Sequence, residues 1–463
     1  MTSTIWKPIL KRGDQVLYRA LAQSLTDDIR SGKLPPGTQL PPVRKLASRL
    51  KVTVGTVRRA FELAMAAGLI DAHVGRGTFV THLADMRTND IKNGSRLELI
   101  DMAINKPAPI EAGDLLARAT TRIVRSDNGW ALMDYRDQSG FSQHRRTIAH
   151  WLRTTGVPVH AEQMVLTVGA SQGLAVALAT TTRPGDKVFV EELTYPGVKN
   201  LIRIFGLEPV PVAIDREGLV TSHLAALINQ QNDVRVLICM PRVHNPTTRS
   251  MSSARKQDLA ELANLHDLTL IEDDCYGPSP SRPSTTLFEL CPERTFYVSS
   301  LSKSVAPGLR VGYVVASERV FSAMSAISQS MSWTLPPLMV ELAADWIRDG
   351  SADKLAQLRH EETVARQKIV SNVLGNHPYE ASQWNTHVWL HLPEAWNPAR
   401  FVESAKNRGL LVVSGDLFSI QPRTNISAVR LGIGSPATRE LVRNGLTIVA
   451  NLLHASYDFA DVT

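Results

Sequence analysis

The sequence predicts an α/β protein: a large layered domain with a mostly parallel central sheet, preceded by a small helix-rich unit. Three observations predict it. Beyond position 98, strand-like apolar runs alternate with helical stretches for about 350 residues, the pattern of a sheet covered by helices. In the first 82 positions, three amphipathic helical stripes precede two strand-like runs around a glycine-rich turn. The charge is divided in the same way. Residues 1–82 hold 13 of the 51 Lys and Arg but only five of the 44 Asp and Glu, a net charge of +8. The remainder carries −1, so the whole excess of +7 belongs to the N-terminal unit and points to a polyanionic partner for it.

At 463 residues the chain exceeds one ordinary core and fits two or three domains. With 43% hydrophobic and 21% charged residues it has the composition of a folded chain, which excludes a disordered one. No apolar run approaches the roughly 18 residues of a membrane span; residues 174–179 run at once into three threonines. Lys7, Pro8, Lys11 and Arg12 are not followed by the apolar stretch of a secretory signal. Cys239, Cys275 and Cys291 are too few for a disulfide framework and are spaced for no metal site. The expectation is a reduced, cytoplasmic protein with no metal and no membrane association.

The basic unit reads as three helices and a hairpin. Val16, Leu17, Leu21, Leu25 and Ile29 form one helical stripe, ended by Ser31-Gly32 and a Leu34-Pro35-Pro36-Gly37 turn. A second helix covers 42–50, with Val43, Leu46, Ala47 and Leu50 on one face. Thr53 is the N-cap of a third, which reaches Ala67 and turns Val57, Ala60, Phe61 and Ala64 inward. Strand candidates at 69–73 and 78–81 flank Val74-Gly75-Arg76-Gly77. This is the plan of a helix-turn-helix with a wing. Thr53, Gly55, Thr56, Arg58 and Arg59 gather at the exposed start of the third helix, where a major groove would meet them. Arg44 and Lys45 are placed to hold phosphates, and the hairpin tip Arg76-Gly77 to enter a minor groove. The run KLPPGTQLPPVRKLA over 33–47 and the closing GRGTFV over 75–80 resemble the signature of GntR-type winged helices. That resemblance implies double-stranded DNA as the partner. The helix start VTVGTV, over 52–57, departs from the commoner Ser-Arg-Asn-Thr form and leaves the base sequence open.

Residues 83–98 are polar, contain Asn93-Gly94 and show no sustained period, as a linker does. The domain limits are therefore 1–82, a linker at 83–98, and 99–463. In the last of these, strands are predicted at 164–168, 187–191, 210–212, 234–240, 268–272, 295–299 and 311–316. Helices are predicted at 172–181, 254–266 and 353–374.

Open α/β sheets hold ligands in the loops that follow their strands, and the chemistry of this chain concentrates there. Gly169-Ala170-Ser171-Gln172 leads from the first strand into a helix, whose free N–H groups suit an anion. Asp273-Asp274-Cys275-Tyr276 follows the fifth. Ser300-Leu301-Ser302-Lys303-Ser304 follows the sixth, with Arg310 seven residues beyond the lysine. A lysine so close to a sheet interior is unfavourable unless its amine forms a Schiff base or an ion pair.

Together these residues resemble the class I/II aminotransferase-like domain, fold type I of the pyridoxal-phosphate proteins, over about residues 100–455. The resemblance implies that Lys303 carries pyridoxal 5'-phosphate through a Schiff base and that Asp273 holds the ring N–H. Asn245, in His244-Asn245-Pro246-Thr247, and Tyr276 would bond the phenolic oxygen, and Tyr195 would stack on the ring. The phosphate would lie between Ala170, Ser171 and Gln172 on one side and Ser300, Ser302 and Arg310 on the other. Arg430, in Val429-Arg430-Leu431-Gly432, matches the partner of a substrate carboxylate. The stretch MDYRDQSG over 133–140 resembles the family's substrate-side segment, which implies that Tyr135 would reach the phosphate from a partner subunit. Thr248 stands where a glycine is usual after Asn-Pro-Thr, so an altered turn is expected.

A GntR-type winged helix fused to such a domain is the architecture of the MocR-like regulators. This resemblance implies a bacterial transcription factor, a homodimer with its DNA-binding segments swapped across. It would sense pyridoxal phosphate itself, or an amino-acid or amine effector that exchanges with Lys303 and meets Arg430. The same residues supply every catalytic part of an aminotransferase. A working aminotransferase with an accessory DNA-binding head is the alternative.

Overall fold

Seven strands, six of them buried along most of their length, form the centre of the large unit in a computed structural model of the chain. The structure describes residues 6, 8, 17–30, 33–35, 37–66, 70–73, 77–80, 99–126, 129–138, 141–277, 285–421 and 426–460. The predicted linker at 83–98 and Arg76 lie outside the described residues. The chain divides into two compact units, Met1–Glu98 and Leu99–Thr463.

In the first unit, helices Leu17–Arg30, Val43–Leu50 and Val54–Ala66 close around Leu21, Leu25, Leu46, Val57, Ala60 and Phe61. The inward residues are those of the helical stripes, because i, i+3 and i+4 share one face of a helix. Lys51 takes a left-handed φ of 55° between the second and third helices, which sets the tight turn. The Thr53 hydroxyl then accepts from the Thr56 N–H at 3.1 Å and caps the third helix. Ile70–His73 and Gly77–Val80 pair antiparallel as the predicted hairpin. Gln39–Leu40 adds a third strand that the sequence did not signal, being only two residues long.

The seven central strands run, across the sheet, Met164–Thr167, Gly312–Val315, Thr295–Ser300, Thr269–Asp274, Val236–Cys239, Lys187–Glu191, Glu208–Val212. Gly312–Val315 is antiparallel to both neighbours and every other pair is parallel. Each coincides with a predicted strand. One boundary differs with consequence: the strand predicted to end at Glu272 continues through Asp273 and Asp274, so both acids sit on the sheet rather than in a loop. Helices such as Ala170–Thr181 and Ser253–Leu265 cover the faces, as continuous apolar strands require.

The C-terminal part has its own antiparallel sheet, in order Tyr379–Glu380, Val388–His391, Ala428–Leu431, Val413–Ser414. It packs on helices Ser351–Leu374, Pro398–Asn407 and Arg439–Ala460. The first strand of the large unit, Ile100–Asp101, pairs parallel with Leu410–Leu411 of this part. That pairing leads residues 102–107 toward the ends of the central strands. No described helix is long and apolar enough to cross a membrane.

Candidate functional site

A cavity of about 410 Å³ opens where the parallel strands end, bounded by residues 103–107, the start of helix Ala170–Thr181, and the strand that carries Arg430. Ala170, Ser171, Tyr195, Asn245, Asp273, Tyr276, Ser300, Ser302, Lys303, Arg310 and Arg430 all line it, although they span some 260 positions of sequence. Among the described residues no group of three His, Cys, Asp or Glu could hold a metal ion.

One end is built for an anion. Gly169 has φ +79° and serves as N-cap of helix Ala170–Thr181, whose first turn presents free N–H groups. A Cβ on Gly169 would stand 2.6 Å from Arg310 Nη2, so only glycine lets the guanidinium approach the helix start. Arg310 itself is left-handed at φ 54° and donates to the Val168 carbonyl at 3.3 Å. The Ser302 hydroxyl oxygen is buried without a hydrogen-bond partner among the described residues. Gln172 differs from expectation. Its side chain turns back over the preceding strand end, accepting from Val168 N–H at 2.6 Å and donating to Ser328 O at 3.3 Å. It does not line the cavity.

The middle holds the amine and the acid. Lys303 follows strand Thr295–Ser300, and its Nζ donates to the Asn105 carbonyl. Burial pushes the Lys303 amine down to about 8. Asp273, 3% exposed, accepts from the Cys275 N–H at 3.1 Å. Burial, aided by the neighbouring Asp274 charge, pushes its carboxyl up to about 7. A cationic N–H placed against it would restore its ionised form. Tyr195 is the N-cap of helix Pro196–Ile204, and its phenol is hydrogen-bonded to Ser171 and raised by burial.

At the far end, Arg430 is 6% exposed on strand Ala428–Leu431. Its Nη1 donates to Asn245 Oδ1 at 3.1 Å and its Nη2 to the Ala103 carbonyl at 2.6 Å, while Nε has no partner among the described residues. Asn245 is held in a buried turn in which Thr248 N–H donates to the His244 carbonyl at 2.7 Å. Thr248 adopts φ 65°, so it keeps the left-handed conformation expected of a glycine, and Asn385 Nδ2 donates to its carbonyl at 3.1 Å. The altered turn expected from the sequence does not occur: the substitution is absorbed as strain at one residue.

Tyr276 touches residues that no motif signalled. Its hydroxyl accepts from Asn105 Nδ2 at 2.6 Å and lies 3.2 Å from His387 Nδ1. Asn105 is 171 positions away and His387 111, each on a segment of otherwise ordinary composition. Tyr135 is 75% exposed and does not line this chain's cavity.

In the first unit, Arg44, Lys45, Arg58 and Gly77 are exposed. Arg59 is exposed too, with its guanidinium 5.1 Å from the centroid of the Tyr18 ring. Thr56 is half-buried, and its hydroxyl meets that of Thr53 at 2.8 Å, so the two threonines are partly committed to capping.

Residues 98–445 match the aminotransferase class I and II family, and residues 17–80 match the bacterial regulatory proteins of the gntR family. An uncharacterized HTH-type transcriptional regulator of Bacillus subtilis, YdeF, is 28% identical over 97% of this chain and 96% of its own length. The vitamin B6 salvage pathway transcriptional repressor PtsJ of Salmonella typhimurium is 29% identical over 86% of this chain and 90% of its own. Among solved structures, a kynurenine aminotransferase of Pyrococcus horikoshii superposes with a TM-score of 0.71 at 20% identity, covering 81% of this chain and 94% of that one. That likeness shows the fold.

Pyridoxal 5'-phosphate is the cofactor that this family implies, and the residues present fit it. The unpartnered Ser302 hydroxyl and the glycine-gated approach of Arg310 to a helix start suit a phosphate. A lysine amine near neutral pH and a buried carboxyl suit an aldehyde and a ring N–H. The chain belongs to the class I and II aminotransferase family, with a gntR-type winged helix-turn-helix unit fused ahead of it.

Proposed function

We propose that the protein is a DNA-binding transcriptional regulator whose large unit holds pyridoxal 5'-phosphate at Lys303. It responds to that cofactor, or to an amino-acid or amine effector that competes for it. One observation carries the reading: a single cavity joins Lys303, Asp273 and Arg430 in a chain whose excess positive charge lies wholly in a winged helix-turn-helix unit. The likeness to regulators along nearly the full length supports it.

When bound, the cofactor supplies an aldehyde for an amine and a ring that takes up electrons. The chain's own groups do the rest. Lys303, pushed down by burial to about 8, has an appreciable unprotonated fraction at physiological pH and can carry a proton within the cavity. Asp273 receives a ring N–H, and ionisation of its carboxyl is favoured by that contact. Arg310 and the N–H groups of Ala170, Ser171 and Gln172 receive the phosphate. Arg430, already braced by Asn245, orients an effector carboxylate through its unpartnered Nε edge.

The sensing unit acts as a homodimer. Trp130, Met133 and Tyr135 are large, exposed and within six positions of one another, as a covered face requires. Tyr135 would then serve the neighbouring subunit's phosphate. Arg58, Arg59, Thr53 and Thr56 face the major groove, Arg44 and Lys45 the backbone, and Arg76-Gly77 the minor groove.

The test is binding of the purified protein to DNA from its own upstream region, at fixed salt, with and without pyridoxal phosphate. Selective binding that changes with the cofactor supports the regulator. Salt-sensitive binding without preference for that DNA overturns it. The second reading, an aminotransferase with an accessory head, is favoured by the complete set Asn245, Asp273, Tyr276, Lys303 and Arg430 around one cavity. Multiple turnover over panels of amino donors and keto acids, without selective DNA binding, would establish it.

A further inference from the structure

Asn105, Thr386 and His387 stand around Tyr276, and no role above uses them. Thr386 Oγ1 donates to Asn105 Oδ1 at 2.7 Å, which orients the carboxamide. Asn105 Nδ2 then faces two neighbours, the Tyr276 hydroxyl at 2.6 Å and His387 Nδ1 at 3.3 Å. The Tyr276 hydroxyl and His387 Nδ1 are 3.2 Å apart, and the two rings stack with centroids 6.0 Å apart at 28°. His387 is 0% exposed.

The protons can be counted. The Asn105 amide nitrogen has two and accepts none, so it donates to both neighbours. His387 Nδ1 therefore accepts, and the ring carries its proton on Nε2. Burial, with Arg430 and Lys303 nearby, holds the imidazole well below its ordinary value, so it stays neutral. Tyr276 has a single proton and two acceptors competing for it: His387 Nδ1, and the phenolic oxygen of the cofactor. Asn105 biases that competition twice. It occupies the lone pair of His387, and by donating to the tyrosine oxygen it makes the phenol a stronger donor.

We propose that Asn105 and His387 are positioning residues that set how strongly Tyr276 donates to the cofactor's phenolic oxygen, Asn105 reinforcing the bond and His387 competing with it. The proposal rests on the reading of Lys303 as the cofactor lysine. The other titratable or charged groups that face Tyr276 are Cys275, Arg430, Asp273 and Lys303, whose Nζ lies 5.8 Å from the ring centroid, and those that face His387 are Arg430, Lys303 and His244. All of them are common to the variants below, so differences among variants report on Asn105 and His387.

The experiment is a pH titration of the visible absorbance of pyridoxal phosphate bound to the full-length protein. A hydrogen bond donated to an ionised oxygen lowers the pH at which that oxygen is protonated. Asn105→Ala is expected to raise the midpoint by about half a pH unit or more, and His387→Leu to lower it by a similar amount. Asn105→Asp keeps the side chain's shape, replaces its donors by acceptors, and is expected to raise the midpoint as well. His387→Asn, whose carboxamide oxygen can stand where Nδ1 does, is expected to stay near the parent. Thermal unfolding without added pyridoxal phosphate identifies any variant that does not fold, and the conservative pair then carries the test. Asn105→Ala or His387→Leu midpoints that coincide with the parent or move the same way overturn the proposal; so does an Asn105→Asp midpoint that does not rise, or a His387→Asn midpoint that leaves the parent value. A parent protein that develops no band with pyridoxal phosphate overturns the cofactor reading itself, and the proposal falls with it.

Discussion

Gly312 lies against Gly169 so closely that a Cβ on Gly312 would stand 2.5 Å from the Gly169 carbonyl carbon and 2.8 Å from the Ala170 nitrogen. The antiparallel strand Gly312–Val315 and the start of helix Ala170–Thr181 thus share one plane of contact, with Arg310 laid across it. Gly312→Ala must push strand and helix apart. The expected loss is about 1–3 kcal/mol of stability, as for other overpacked sites. Affinity for pyridoxal phosphate should fall by about tenfold or more, because the phosphate donors no longer converge. Thermal unfolding and a cofactor titration check both, and unchanged affinity would remove this contact from the phosphate site.

Lys303→Ala should eliminate the visible cofactor band, while affinity for the protein's own upstream DNA without pyridoxal phosphate remains within about threefold of the parent. Absorbance spectra and a DNA titration are the measurements. Loss of DNA binding together with the band would mean that Lys303 supports the fold rather than the signal.

Arg58→Ala should weaken binding to all DNA sequences alike and lower the slope of log affinity against log salt by about one, if the side chain holds a phosphate. If it reads a base edge, it should instead cost about 1–3 kcal/mol on the preferred sequence and relax the preference there. Equal affinity on every sequence, before and after substitution, would place Arg58 outside the DNA face.

Glu191 makes a pH prediction. It is fully buried, accepts from the Met240 N–H at 2.9 Å, and is pushed up by burial to about 8. A carboxyl with a raised folded value binds its proton more tightly in the folded state, so stability falls as pH rises from the ordinary value near 4.5 to about 8. His244, pushed down by burial to about 4, acts in the opposite sense between 4 and its ordinary 6.5; Glu272 and Asp273, both raised to about 7, are common to parent and variant and cancel in their difference. Glu191→Gln should therefore be more stable than the parent by an amount that grows between pH 6.5 and 8. Unfolding midpoints of the two proteins at several pH values check it; a difference independent of pH would refute it.

Thr248→Gly should stabilise the turn that holds Asn245 by about 0.5–1 kcal/mol, since glycine adopts φ 65° without the clash a β-branched residue meets. Denaturant unfolding measures it directly. A loss of stability would show that the threonine side chain contributes more than its backbone forfeits.

The central sheet was legible in the sequence because its strands, apart from the edge strand Glu208–Val212, are buried along most of their length and carry short apolar runs. The cofactor residues were legible for a related reason: strand ends put Asp273 and Lys303 in short runs with distinctive neighbours. The C-terminal sheet was not. Its strands Tyr379–Glu380 and Val413–Ser414 are two residues long and only half-buried, so they leave no period to detect. Asn105 and His387 were silent because their significance is entirely tertiary, arising where three distant segments meet. Gln172 shows what a motif leaves open: it fixed the position, but the local hydrogen bonds of Val168 and Ser328 fixed where the side chain went.

The pairing of Ile100–Asp101 with Leu410–Leu411 gives the junction between the two units an unusual economy. Two residues after the predicted linker the backbone is already stitched to the far end of the chain, and five later Asn105 is in the cavity wall. There is no neutral spacer between tether and pocket. A cut placed after position 107 would remove one wall of the cavity and one strand of its support. Transplanting the large unit onto another DNA-binding head must therefore begin at or before Leu99, because the carbonyls of Asn105 and Ala103 touch Lys303 and Arg430.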